Sequence, residues 1–305
     1  MELALMTEPQ LGGTYQDLLD AARWAEANGL VAFARSDHYY WSGEPTPDAT
    51  DAFVTLAGLA RETERIRLVV LVSPLTFRHP AVIAKSAATL DQMSGGRFDL
   101  GIGTGWNEQE HEVFGLPFPD WSERFARLEE ALPYVTSALR DGHAAFSGDH
   151  YSIDATVRPL APGTEIIVGG SGPRRTPRLA ARWADEYNTF IGTPDDVTSK
   201  IGVLREAAVE FGRDPDSIRV SVMGGCLVGT DRADYSERLR REAAERDMDP
   251  ADLESRYADR GVPHGTPDQA LEALAALEAA GVDRWYVQVI PHDLETVRRT
   301  VDPLL

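Results

Sequence analysis

The chain has 305 residues, 43% of them hydrophobic, with 49 acidic against 30 basic side chains and a formal charge of -19. A chain this long buries a large core without disulfides or a structural metal, and its single cysteine, Cys226, excludes an intramolecular disulfide and any CxxC metal or redox site. The acidic excess argues against a nucleic-acid surface and against adsorption to anionic lipid, since both need clustered positive charge. No basic segment precedes a long apolar stretch near Met1, so no signal peptide is expected. The longest strongly apolar run, residues 68–72, is far below the roughly 20 residues of a membrane span. A soluble, cytoplasmic protein is the expectation.

Eight short apolar segments read as strands: residues 3–6, 31–35, 67–72, 98–102, 165–168, 186–190, 219–223 and 285–290. Most lack clean alternation, which suits parallel strands buried on both faces. Helical spacing fills the gaps. Tyr15, Leu18, Leu19, Ala22 and Ala25 form one apolar face behind a Thr14 cap, and Gly29, Gly95 and Gly281 stand where helices stop. Phe125, Leu128, Leu132, Val135 and Leu139 form another face, which Pro133 is expected to kink or interrupt.

Eight strands separated by helices point to an α/β fold, a (β/α)8 TIM barrel with insertions, over a sandwich; a doubly wound sheet is the fallback. One domain over residues 1–305 is expected, with insertions near 141–163 and 231–266. Both insertions are candidates for lids or for oligomer contacts.

In such a barrel the chemistry gathers in the loops after the strands. Those loops read Thr7-Glu8-Pro9-Gln10, Ser36-Asp37-His38-Tyr39-Tyr40-Trp41, Ser73-Pro74-Leu75-Thr76-Phe77-Arg78-His79, Gly103-Thr104-Gly105-Trp106-Asn107-Glu108 and Gly169-Gly170-Ser171-Gly172-Pro173-Arg174-Arg175. Polar and aromatic residues fill all five, which points to an enzyme. The last loop leads into a helix opened by Pro173, where backbone N–H groups and close glycine approach suit a phosphate, with Arg174 and Arg175 adding charge; an ordinary glycine turn is the alternative. The glycines 101, 103 and 105 lack GxGxxG spacing, so a Rossmann site is rejected; they are read as letting a flat ligand lie against the strand end.

His38 stands where a side chain can give a hydrogen bond or proton to a ligand oxygen. Metal binding is not expected, because His38, His79 and His111 lie on separate loops and no HExxH spacing occurs. No GxSxG elbow supports a serine hydrolase. Trp41, Tyr39 and Trp106 are candidates to wall a planar ligand, or simply to pack.

At these residues the sequence resembles the luciferase-like monooxygenase superfamily, especially its branch of deazaflavin (coenzyme F420)-dependent oxidoreductases. The resemblance covers nearly the whole chain and is most specific over residues 71–85 and 90–108, joined by Ser36-Asp37-His38 and the loop from Gly169 to Pro173. It implies a barrel, usually dimeric, with a flavin or deazaflavin ring in the mouth. It also implies a non-proline cis peptide near Val70-Leu71, in a bulge behind the ring.

On the same resemblance Asp37 and His38 contact the ring edge, Ser73 lies near it, and Thr104, Gly105 and Asn107 flank the ring or its ribityl chain. Gly169, Gly170, Ser171 and Gly172 hold the phosphate. Trp41, Trp106 and Glu108 fall near the substrate pocket. The family's sugar-phosphate dehydrogenase has a glutamate where this chain has Trp106, and its phosphate-gripping basic residues find no match, so glucose 6-phosphate is not expected as substrate.

The leading expectation is hydride transfer between F420 and a small organic substrate, with His38 catalytic. An FMN-dependent monooxygenase is the alternative cofactor reading, and a non-catalytic F420 or flavin carrier the alternative of another class. A homodimer acting on a neutral small molecule, without nucleic acid, membrane or metal, completes the expectation.

Overall fold

The computed structural model describes residues 1–42, 48–290 and 293–305. In chain order the elements are β1 Glu2–Thr7, α1 Tyr15–Ala27, β2 Ala32–Arg35, α2 Ala52–Glu62, β3 Arg67–Pro74, α3 Pro80–Ser94, β4 Phe98–Gly103, α4 Glu108–Val113 and α5 Trp121–Arg140. They continue with β5 His143–Ser147, β6 Ser152–Thr156, β7 Ile166–Gly169, α6 Arg175–Trp183, β8 Glu186–Phe190, α7 Pro194–Glu210, β9 Arg219–Gly224 and β10 Leu227–Val228. The last are α8 Arg232–Glu245, α9 Pro250–Asp259, β11 His264–Gly265, α10 Pro267–Ala279, β12 Arg284–Val289 and α11 Leu294–Val301.

Among the described residues β1, β2, β3, β4, β7, β8, β9 and β12 close a barrel, each strand parallel to its neighbours. The expected (β/α)8 TIM barrel is therefore the observed fold, and each of its strands lies within two residues of the sequence expectation. The α1 cap is a capping box between Thr14 and Asp17. Gly29, Gly95 and Gly281 take left-handed φ of 79°, 72° and 99° behind their helices, as helix stops of this kind require.

Two apolar layers hold the barrel. The larger fills the space between strands and helices, with Leu5, Phe33, Leu68, Phe98, Leu100 and Trp285 among its buried members. The inner one packs Ala4, Met6, Ala32, Ala34, Val69, Leu71, Ile167 and Tyr286 along the axis. Beneath it the barrel is floored by charge: Arg67 Nε donates to Asp99 at 2.6 Å, and Arg284 Nη1 donates to the fully buried Glu186 at 2.8 Å. Burial pushes the Asp99 carboxyl up to about 6 even beside Arg67.

Pro133 does not interrupt α5, which runs unbroken through it. The bond it removes falls on the carbonyl of Glu129, an exposed residue, so water can satisfy the orphaned group. The segment 141–163 holds the antiparallel hairpin β5–β6. Phe146 and Tyr151 pack that hairpin on the main core, and Glu130 of α5 accepts from the backbone of residues 149–151. The segment 231–266 folds α8 and α9 around a small core of its own, with Tyr235, Leu239, Leu253 and Tyr257 buried. Among the described residues no helix is long and apolar enough to cross a membrane.

The barrel departs from regularity in β3. Its pairing with β4 shifts register between Val70 and Ser73, a β-bulge, and the cis peptide joins Leu71 to Val72, one position later than the expected Val70-Leu71. The bulge needs room that only glycine leaves. A Cβ on Gly101 would lie 2.2 Å from the Val70 carbonyl oxygen and 2.9 Å from Val72 Cγ1; on Gly103, 2.9 Å from Val72 Cγ2; on Gly169, 2.6 Å from Val72 Cγ1. Gly101 and Gly103 thus make room for the bulge, and Gly103 also lines the cavity at the strand end.

Gly169→Ala is expected to cost about 1–3 kcal/mol by overpacking. Because its close contacts are all Val72 side-chain atoms, Val72→Ala should restore part of that loss. Gly101→Ala, which meets backbone first, should show no such rescue. Urea melts of the two double-mutant cycles check this, and equal coupling in both cycles would refute it.

Candidate active site

At the C-terminal end of the barrel opens a cavity of about 680 Å³. The bulge supplies one wall with Leu71 and Val72, and Gly103, Thr104, Gly105, Trp106 and Asn107 continue it after β4. Gly169, Gly170 and Ser171 close another side; Gln10, Ser36 and His38 face them. Trp41, Trp121, Phe190 and Ile290 form an apolar rim, and Trp106 is 60% exposed at the entrance. Neither inserted segment lines this cavity among the described residues.

His38 follows β2 in a loop without regular structure, so its position depends on side chains from elsewhere. Its Nδ1 lies 2.8 Å from Oε2 of Glu110, a fully buried carboxylate on α4. The other Glu110 oxygen accepts from the Tyr40 N–H at 3.0 Å and from the Tyr39 N–H. The Trp106 ring meets the imidazole edge-on at 5.4 Å. Burial works against charging His38, but the hydrogen bond and charge of Glu110, with Glu8 and Asp37 beyond, outweigh it and raise its pKa above the usual value.

Asp37, the preceding residue, points away. Ser73 Oγ donates to its Oδ2 at 2.7 Å and Arg78 donates to both of its oxygens. Arg78 also pairs with Asp51 at 2.7 Å, while Tyr39 donates its hydroxyl to Asp51 at 2.9 Å and stacks on Phe77 at 4.8 Å. Arg35, fully buried, donates to the Thr50 carbonyl and hydroxyl at 2.8 Å each; burial brings its pKa down to about 10. Two guanidinium groups therefore tie down both stems of the loop that carries His38 and Trp41.

The expected site residues divide accordingly. His38, Leu71, Thr104, Gly105, Asn107, Gly169, Gly170, Ser171, Trp41 and Trp106 line the cavity. Asp37, Val70, Ser73, Gly172 and Glu108 do not. Asp37 and Ser73 are spent on each other and on Arg78, and Val70 faces the helices in the outer core. Glu108 is exposed on the short helix α4, and Glu110, two residues on and so on the opposite face, is the carboxylate turned inward.

Sequence reasoning missed Glu110. Its signal was the Asn107 cap, whose side chain accepts from the Glu110 N–H and sets the phase of α4. It also missed a polar chain on the cavity floor: Gln288 Nε2 and Gln10 Nε2 donate to Glu8 at 2.8 and 2.7 Å, and Ser36 donates to Gln10 at 2.8 Å.

The loop after β7 meets α6 at Arg175, later than the expected Pro173, with Arg174 at the cap. The Gly170 N–H is used by the Asn188 carbonyl at 3.1 Å. A Cβ on Gly170 or Gly172 would crowd the Thr176 hydroxyl, at 3.2 and 3.3 Å. Arg175 turns outward, over the Phe125 ring at 4.3 Å. Among the described residues, no lysine or arginine lines the cavity, and no three His, Cys, Asp or Glu residues gather to hold a metal ion.

A family model described as luciferase-like monooxygenase matches residues 2–284. The F420-dependent glucose-6-phosphate dehydrogenase of Kineococcus radiotolerans is 38% identical over 202 residues, 64% of this chain and 59% of that protein. The pyrimidine monooxygenase RutA of Escherichia coli is 33% identical over 175 residues, 55% of this chain and 47% of that protein. The chain thus spans about half to three fifths of the length of these curated relatives.

Among solved structures, the coenzyme F420-dependent tetrahydromethanopterin reductase of Methanopyrus kandleri superposes with a TM-score of 0.80 at 20% identity, covering 98% of this chain and 96% of that one. The EDTA monooxygenase of Chelativorans sp. BNC1 superposes with a TM-score of 0.82 at 18% identity, covering 100% and 93%. At such identities the likeness is one of fold.

Asp37→Ala takes from Arg78 its fully buried partner and leaves it the half-buried Asp51, so the loss should stay below the roughly 3–5 kcal/mol of a buried pair broken outright. Replacing Arg78 by Met in the same chain should recover much of the loss. Chemical denaturation of the two single variants and the double one checks this; strictly additive losses would show that the pair is not coupled.

Proposed function

We propose that this chain, which belongs to the luciferase-like monooxygenase family, transfers a hydride between coenzyme F420 and a neutral organic substrate. The observation that carries the reading is His38, held by Glu110 at the edge of a mouth cavity backed by the β3 bulge. The named F420-dependent relative at 38% identity supports the cofactor. A slot walled by Leu71, Val72 and the Gly103–Gly105 backbone suits one face of a planar ring. The loop of small residues at 169–172, with the Thr176 hydroxyl and Arg174 nearby, suits a ribityl phosphate.

When bound, the deazaflavin supplies two-electron hydride chemistry. The chain supplies the rest. Leu71 and Val72 support the ring, His38 presents a nitrogen to the oxygen that changes charge, and the tryptophan rim keeps water from the reacting centre. The substrate side carries aromatic groups and no guanidinium or ammonium among the described residues, so a phosphorylated substrate finds no lysine or arginine there. A neutral or weakly polar molecule fits, which separates this chain from the sugar-phosphate substrate in its relative's name.

FMN shares the planar ring and ribityl phosphate, and the 33% identity to RutA supports an oxygen-using monooxygenase as the second reading.

Side-by-side fluorescence titration of the purified apoprotein with F420 and FMN tests the choice. Saturation with F420 alone is expected; saturation with FMN alone moves the protein to the monooxygenases, and saturation with neither removes the cofactor assignment. Gly170→Val, which fills the space before Thr176, should weaken binding of either phosphate-bearing cofactor at least tenfold. Unchanged binding would place the phosphate elsewhere. His38→Ala should keep the fold and lower turnover by about 10²–10⁴-fold, the range of acid–base assistance.

A further inference from the structure

We propose that Glu110 is a positioning residue that fixes the tautomer of His38, so that Nδ1 always carries a proton and Nε2 alone exchanges one with the reacting molecule. The proposal rests on the hydride-transfer reading for its purpose, though not for its geometry.

The argument starts from what a carboxylate can do. An ionised carboxylate only accepts, so the imidazole nitrogen 2.8 Å from it must carry the hydrogen. That nitrogen is Nδ1. The ring cannot rotate away easily, because Trp106 packs against it edge-on and the same Glu110 side chain holds the Tyr39 and Tyr40 N–H groups of the adjoining backbone. One buried carboxylate thus fixes both the ring and the chain that carries it. Nε2 is the nitrogen left for the cavity that His38 lines.

The charges facing His38 come from three elements: Glu110 on α4, Glu8 after β1 and Asp37 on its own loop. Asp37 is compensated by Arg78, and Glu8 accepts from Gln10 and Gln288. Glu110 is therefore the anion in direct contact. With a bound reduced deazaflavin as the two-electron donor, reduction of a carbonyl or similar acceptor would form the acceptor's O–H bond as the Nε2–H bond of His38 breaks. His38 is left neutral, with Nδ1–H still on Glu110. The reverse reaction returns the proton to the same Nε2 lone pair.

The sign of the pH dependence follows. Burial opposes the cation, and Glu110 more than offsets it, so the folded His38 titrates above the model-peptide value of about 6.5. Its contribution to stability is full below that unfolded value and is lost as pH rises through the raised folded value. Reduction should follow the same limb, fastest where Nε2 is protonated.

Glu110→Gln separates this role from a purely structural one. The amide oxygen can still accept from Tyr39 and Tyr40, but the amide NH2 donates to Nδ1 and so demands a lone pair there. The neutral ring must then become the Nε2–H tautomer, and its protonation is disfavoured.

The experiment is a 15N and 1H–13C NMR titration of the histidine rings in apoprotein, with His38→Gln identifying the resonance. The wild type should show the Nδ1–H tautomer and a midpoint above 6.5. Glu110→Gln should show the Nε2–H tautomer, a midpoint lower by at least about one unit, and loss of the matching slope in thermal stability against pH. An Nε2–H tautomer in the neutral wild type overturns the proposal whether or not any variant folds. A folded Glu110→Gln with unchanged tautomer and midpoint overturns it too, leaving Glu110 a loop anchor. F420 titration of the same wild-type sample is scored separately: failure to bind defeats the hydride reading, while the ring spectra still decide what Glu110 does.

Discussion

The mouth of this barrel takes its shape from one steric constraint. The Val72 side chain occupies space that a Cβ on Gly101, Gly103 or Gly169 would take, and the Val70 carbonyl fills the rest of the gap beside Gly101. In a regular strand neighbouring residues face opposite sides. The bulge breaks that alternation, so Leu71 and Val72 both reach the cavity and the strand resumes with Ser73 turned to Asp37. Three glycines on two neighbouring strands thus serve one valine on a third. The strand-end glycines are structural before they are functional, and the cavity wall is a consequence.

Once β3 is bent, charge rather than apolar packing sets the loop after β2. Arg35 holds its far stem through Thr50, Arg78 crosses from the β3 loop to Asp37 and Asp51, and Glu110 reaches from α4 to His38 and the Tyr39 and Tyr40 backbone. These groups are buried or nearly so, where an unpaired charge is expensive and a paired one is demanding about geometry. Each belongs to a different strand end. The loop is therefore locked to its two neighbours in the barrel, and His38 inherits a position that no local backbone preference could give it.

This explains what could be read from the sequence. The strands were legible because burial on both faces makes each a short apolar run between turn residues, and the closed parallel barrel followed from their number and from the helices between them. Side-chain direction at the strand ends was not legible. Asp37 and His38 are adjacent and point to opposite fates; Val70 and Leu71 part at a bulge that no periodicity announces. Glu108 and Glu110 differ only by helical phase, which Asn107 sets as cap of a six-residue helix. Reading that cap first would have selected Glu110, because residues two apart on a helix face nearly opposite ways. The polar chain of Glu8, Gln10, Ser36 and Gln288 joins three strand ends and has no signature in any one of them.

The charge distribution bears on the proposed division of the site. The chain carries -19 overall, yet at physiological ionic strength a charge is felt over only about 8 Å, so a bound anion answers to its immediate surroundings. Within the cavity those surroundings hold Glu8 and Glu110 and no arginine or lysine among the described residues. Arg174 stands at the cap of α6, beside the loop of small residues at 169–172, while Arg175 turns outward over Phe125. An anionic cofactor tail at that loop and an uncharged substrate beneath Trp41 and Trp106 is the arrangement these local fields permit. A second phosphate, on the substrate, would have to sit against Glu8 and Glu110, where the His38 imidazole is already paired with Glu110.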